Sequence, residues 1–276
     1  MPRNNEDRFE NLSGAEETPT QNVNPLLNFV IPTEFVELPT KGKFYPLEHP
    51  LHNVETIEIK YMTAKETDLL TSTSLLKKGI AIDRMLQNII VDGEIRVEDL
   101  FVGDKNALIM AARVSGFGEE YEAAVSCLSC ANSSRQNFDL SDMKVKESPE
   151  NTDFSENGTF FITLPQTNVN AECRLLTSSD EKKLMAMSEK KQKLKLAETN
   201  LTDQLKFFIV SLNGVTDRSV VDEFVDLMPA SDSNFLRKKY EEFRPDVDLS
   251  YVYECESCSA VNNVEIPFTT TFFWPR

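Results

Sequence analysis

Four of the chain's five cysteines sit in two Cys-x-x-Cys pairs, "CLSC" at Cys127 to Cys130 and "CESC" at Cys255 to Cys258. Residues 131–254 separate them, so any fold must either bring two distant thiol pairs together or explain them apart. Each pair follows an alternating, strand-like stretch ("EEYEAAVS", "VDLSYVYE") and precedes another ("RQNFDLSD", "VNNVEIPF"). This makes a weak internal repeat, strand, Cys-x-x-Cys, polar turn, strand, carried by architecture more than by residue identity.

A structural zinc ion takes four thiolate or imidazole ligands at tetrahedral positions, with sulfur about 2.3 Å away. A Cys-x-x-Cys at a hairpin tip supplies two from one tight turn, and two facing tips close the shell. The gap is long against the roughly 15–20 residues common in such sites. Closure entropy grows only slowly with loop length, so an insertion that returns the chain near its exit is tolerable. Two other readings compete. A redox pair belongs at a helix N-terminus, where the dipole lowers a thiol pKa; both pairs here follow strands, and "ECESC" surrounds its thiols with carboxylates. Alternatively, the four are small core residues. The spacing favours one closed, structural site at Cys127, Cys130, Cys255 and Cys258, with one zinc per chain and iron left open as the metal. Cys173 in "NAECRLL" reads as a buried apolar residue. His49 and His52 lack a third ligand nearby and read as surface or packing histidines.

The rest of the chain arranges around this unit as an α+β fold. Residues 1–24 are polar and acidic, and predict a disordered tail. Residues 25–62 read as an extended arm ending in a strand from about Glu55 to Met62, because prolines and "TKGK" exclude a long helix. Residues 63–118 read as a small helical block. Thr63 with Glu66 forms a capping-box pattern, and Ile82, Met85, Leu86, Ile89 and Ile90 share a face. Asp104 is the expected cap and Gly116 the expected stop of its last helix. Residues 119–148 with 245–276 form the zinc-ribbon-like unit. Residues 149–244 form an α-rich insertion: a hairpin from "TFFITLP" and "AECRLLT", a long helix to about Val215 broken near Thr199, and two shorter helices stopped by prolines.

Composition narrows the function classes. A net charge of −16 and 27% charged residues describe an acidic, soluble-type chain. Such a surface forfeits the electrostatic attraction that dominates nucleic-acid binding. The basic run "EKKQKLK" at Glu189 to Lys195 reads as the solvated face of a helix. No apolar run approaches a membrane span or a secretory signal, so a reducing cytosolic compartment is expected. Phosphate-cradling glycine loops, G-x-S-x-G and H-E-x-x-H are absent from the sequence, which offers no positive case for an enzyme.

Three segments carry a family resemblance: "VELPTKGKFYP" (Val36 to Pro46), "IEIKYMTAKETDLLT" (Ile57 to Thr71) and the C-terminal "FTTTFFWPR". With the paired knuckles, they resemble the T4-like bacteriophage baseplate hub family, hub proteins and hub-assembly factors of contractile tails. The resemblance covers Val36 to about Met143 and about Asn234 to Trp274. It implies a non-enzymatic viral tail protein, a hub component or assembly chaperone, working in the bacterial host cytoplasm during assembly and, if it is retained as a component, in the virion baseplate. Its partners would be other hub or tail proteins, not nucleic acid, membrane or a small molecule. The matching turn residues Leu38, Pro39, Lys41, Gly42, Tyr45 and Pro46 are the expected partner contact, unless the turn packs on the protein's own body. Phe272, Phe273 and Trp274 are expected to anchor the C-terminus in the core. The alternative function is a zinc-ribbon adaptor in transcription or nucleic-acid metabolism, against which the charge counts.

Overall fold

The computed structural model describes residues 30–142, 144–149, 154–197, 199–266 and 272–273. The expected tail, the middle of the linker at 150–153 and Trp274 lie outside these. Residues 1–32 and 33–276 form two units, and the fold below is that of the second.

Strands β1 (Thr33–Glu37) and β2 (Thr56–Lys60) pair antiparallel, Val36 opposite Ile57. Alternation decides their faces: Val36, Ile57 and Ile59 are buried while Phe35 is 70% exposed. The segment between them is no free arm. Leu38, Phe44, Tyr45 and Leu51 are all buried, and successive turns are closed by Lys41 N–H to Leu38 O, Asn53 N–H to Gly42 O and Val54 N–H to Leu51 O. Gly42 sits at φ +71, and a Cβ there would run into backbone atoms of Leu51 and Val54, so only glycine fits.

Helix α1 (Ala64–Thr71) opens with the expected capping box: Thr63 N–H donates to Glu66 Oε2 at 3.0 Å, and the Thr63 hydroxyl caps the first turn. The short α2 (Thr73–Lys77) leads to α3 (Ala81–Ile89), whose Met85, Leu86 and Ile89 are buried together with the following Ile90. Helix α4 (Val102–Phe117) starts earlier and ends later than its local signals suggest. Phe101 is its N-cap, and Asp104 lies inside the first turn, fully buried. Gly118 at φ +85 is the C-cap, whereas Gly116 gives room to the Met62 side chain.

Two hairpins and an insertion follow. Strands β3 (Glu120–Ser126) and β4 (Ser133–Asp139) form the first hairpin, and β5 (Lys144–Lys146) leaves it. The insertion holds a three-stranded antiparallel sheet of β6 (Thr159–Thr163), β7 (Asn170–Arg174) and β8 (Ile209–Leu212). Around it lie α5 (Ser178–Lys193), α6 (Asn200–Phe208), α7 (Arg218–Leu227) and α8 (Ala230–Phe243). The helix expected to run to Val215 stops at Phe208, because Ile209–Leu212 pairs with β7 instead. The insertion is fused to the helical block by Val102 N–H to Leu176 O and Ser178 N–H to Leu100 O.

After α8, β9 (Asp246–Asp248) pairs antiparallel with β5, Val145 opposite Val247. That pairing zips the two ends of the insertion together. Strands β10 (Ser250–Glu254) and β11 (Val261–Glu265) then make the second hairpin beside the first. Phe138 of β4 meets Tyr251 of β10 edge to face, centroids 4.7 Å apart. Phe272 and Phe273 are buried as expected of an anchor; Phe272 packs edge to face on Tyr121, and the buried Arg113 donates from Nε to its carbonyl at 2.6 Å. Among the described residues, no helix is long and apolar enough to cross a membrane.

Candidate metal centre

The two Cys-x-x-Cys turns are built alike. In the first, Cys127 N–H donates to Asn132 O and Ala131 N–H to Cys127 O; in the second, Cys255 N–H donates to Ala260 O and Ser259 N–H to Cys255 O. The residue after the last cysteine is left-handed in both, Ala131 at φ 57 and Ser259 at φ 54. This tight knuckle turns both sulfurs of a pair to the same side, one buried (Cys127, Cys255) and one exposed (Cys130, Cys258).

The β5–β9 zipper sets the tips face to face. Cys127 Sγ lies 3.7 Å from Cys258 Sγ, and Cys130 Sγ lies 3.8 Å from Cys255 Sγ. All four sulfurs fall within 4.8 Å of one another. Sulfurs tetrahedral about a centre at about 2.3 Å would be about 3.8 Å apart, which the two measured contacts match. They are far beyond the roughly 2.05 Å of a disulfide. The donor set is all thiolate, which suits zinc or iron and not a hard cation.

Hydrogen bonds cross between the knuckles. The buried Asn262 of β11 accepts the Leu128 N–H at 2.9 Å and the Cys127 thiol at 3.5 Å through Oδ1, while its amide donates to Ala260 O. From the other side, Asn132 Nδ2 donates to Ser257 Oγ at 2.7 Å. The backbone N–H of Cys130, with that of Ser129 and the Asn262 side chain, draws the Cys127 thiol down to about 6. The Ala260 N–H pulls Cys258 the same way, yet contacts with the other three thiols push it up to about 12. Crowded thiols resist carrying four negative charges together unless a cation sits among them. Tyr253, two residues before Cys255, buries a hydroxyl with no hydrogen-bond partner among the described residues; burial, then the thiols' charge, raises its pKa.

A family model described as T4 bacteriophage base plate protein matches residues 31–274. The chain belongs to this base plate family. No curated protein and no solved structure matches it.

The base plate match spans both knuckles and the turn expected to meet a partner, and the structure sorts that turn's residues. Leu38, Pro39, Gly42 and Tyr45 are buried in the chain's own interior. The Tyr45 hydroxyl donates to Asp104 Oδ2 at 2.7 Å and accepts the Phe101 N–H at 3.2 Å. Thr40 donates to the same carboxylate from its N–H at 3.0 Å and its hydroxyl at 2.7 Å. Of the six expected contacts, Lys41, paired with Glu147 at 2.7 Å, and Pro46 are accessible. His49 stacks on Tyr45 and accepts the Leu51 N–H; His52 Nδ1 is 2.7 Å from Tyr45 O. Both histidines organise this turn. Cys173 is fully buried, which drives its thiol pKa up. Sequence reasoning missed Asn262 and the β5–β9 pairing, which position the cysteines without being ligands.

Proposed function

We propose that this base plate protein is a non-enzymatic part of tail morphogenesis that works through protein–protein contacts, as a hub component or as a factor that assembles the hub. The family match over residues 31–274 carries the reading. Its site of action is the host cytoplasm during assembly and, as a component, the tail base plate.

In this reading Cys127, Cys130, Cys255 and Cys258 hold one structural zinc. Four thiolates close the shell, leaving no position for water or substrate, so the ion contributes folding free energy and does not catalyse. Its effect is to clamp two hairpins that the chain reaches at distant points, giving an assembly partner a rigid surface. The accessible residues of the turn, Lys41 and Pro46 with the 79%-exposed Leu47 beside them, contribute to the partner contact. Preorganised surfaces of this kind bind without an ordering cost.

The test is co-purification of a tagged chain from infected cells, before and after tail completion. Stable recovery with hub or tail proteins, at either stage, supports the reading and tells assembly factor from component. Recovery of the chain alone at both stages contradicts it.

A further inference from the structure

Two exposed patches on the 33–276 body carry opposite, unpaired charge around uncovered apolar side chains. The first is the end of α5 and the turn after it. Residues 182–197 hold six lysines and one glutamate in a chain of net charge −16. Leu194 and Leu196 are 60% and 57% exposed there. Lys195 at φ 54 closes the helix, its N–H bonded to Gln192 O and the Leu196 N–H to Lys191 O, so the turn is fixed. Four of these lysines are paired within the chain, Lys182 with Asp83 and Glu98, Lys183 with Asp180, Lys191 with Asp203 and Lys193 with Glu189, but Lys190 and Lys195 have no ion pair among the described residues.

The second patch is the outer face of β10–β11. Register places Glu254 opposite Val261 and Val252 opposite Asn263, so the two valines are diagonal neighbours on one face. They are 62% and 73% exposed. Glu254 and Glu265 share that face and Glu256 lies in the adjoining knuckle, none with an ion pair among the described residues. Single exposed apolar residues need no explanation, but clustering them with unpaired charge marks an interaction site.

We propose that these patches are the two halves of one contact between copies of this chain, the α5 tip of one copy seated on the β10–β11 face of the next. The charges and the apolar centres complement each other. The acidic surface of the chain disfavours the anionic alternatives, phosphate backbones and lipid headgroups, for the same lysines. Repulsion between two copies of like net charge is screened beyond about 8–10 Å at physiological salt, while ion pairs formed in contact survive. Because the halves differ, the contact is heterologous and generates a ring or an open chain of copies. It goes beyond the base plate reading and does not depend on which metal the cysteines hold.

Sedimentation velocity of the full chain, over a range of concentrations at physiological and high salt, reads the contact. The wild type self-associates at physiological salt, where net repulsion is screened, and less so as salt rises toward about 1 M. Lys190→Glu with Lys195→Glu, and separately Glu254→Lys with Glu265→Lys, each weaken association by about ten-fold or more. All four positions are exposed, and circular dichroism with metal content checks that fold and site persist. An equimolar mixture of the two variants associates again, since the acidic tip of the first fits the basic face of the second and the basic tip of the second fits the acidic face of the first. A chain carrying all four substitutions associates again. A wild type that stays monomeric throughout overturns the proposal, as do variants that associate like the wild type. So does a monomer that binds phosphatidylserine vesicles or duplex DNA through these lysines.

Discussion

Asn262 accepts the backbone N–H of Leu128 at 2.9 Å, joining two residues 134 positions apart across the tips of two hairpins. Replacing it tests whether that staple matters. In Asn262→Leu the Leu128 N–H loses its partner in a partly buried place, at a cost of about 1–3 kcal/mol. Groups that orient ligands typically set metal affinity by about 10–100-fold. The expected outcome is a lower denaturation midpoint together with faster metal loss to a chelator. Unchanged chelator resistance would show that the cysteines position themselves.

Cys127→Ser and Cys255→Ser each remove the buried ligand of one knuckle. Both are expected to release the ion and lower stability by several kcal/mol, and to do so to a similar degree, because one shell spans both pairs. A chelator should destabilise the wild type and leave both variants unmoved. If one variant keeps its metal and its thermal midpoint, the two pairs do not share an ion.

Asp104 gives a pH signature. Burial pushes its carboxyl from 3.8 up to about 6, against the pull of the Thr40 and Tyr45 donors. A raised carboxyl pKa means the native state holds the proton more tightly than the unfolded chain. The contribution is therefore largest below about pH 4 and is lost as pH rises to about 6, by up to about 3 kcal/mol. Glu66 and Asp180 are held below the usual carboxylate range by Thr63 and by Arg174, net of burial, and act in the opposite sense. The difference between wild type and Asp104→Asn isolates the one group. Denaturant unfolding from pH 4 to 7 should show that difference changing through this window; a constant offset refutes it.

Gly42→Ala is expected to destabilise by more than the roughly 1 kcal/mol of a left-handed residue alone, since its Cβ meets backbone that cannot yield. Pro46→Ala, at an exposed position of the same turn, should change stability little. Equal denaturation midpoints for the two variants would mean the turn relaxes freely.

These positions also show what the sequence discloses and why it stops. The capping box at Thr63 and Glu66 is legible because both partners lie within one turn. The cysteine pairs are legible because two Cys-x-x-Cys turns in one chain match the spacing that a four-thiolate metal site needs. Asp104 looks like a helix cap, but its partners Thr40 and Tyr45 are 64 and 59 residues away, and tertiary contact outweighs the local signal. β8 hides because "FFIVSL" continues an apolar helix pattern, and only pairing with β7 makes it a strand. β5 and β9 have three residues each, too few for a periodicity, yet their pairing is what makes the long gap harmless. The series of segments that includes the "LPTKG" turn pointed to a T4-like base plate family; the turn's apolar side chains are buried in the chain's own core, which only the structure reveals.

The central claim is that both knuckles grip a single ion, and X-ray absorption at the metal edge of the purified chain, with metal content measured alongside, tests it most directly. One zinc per chain with four sulfurs at about 2.3 Å is the expected result. A first shell containing oxygen or nitrogen, or a folded chain that holds no metal, would contradict it.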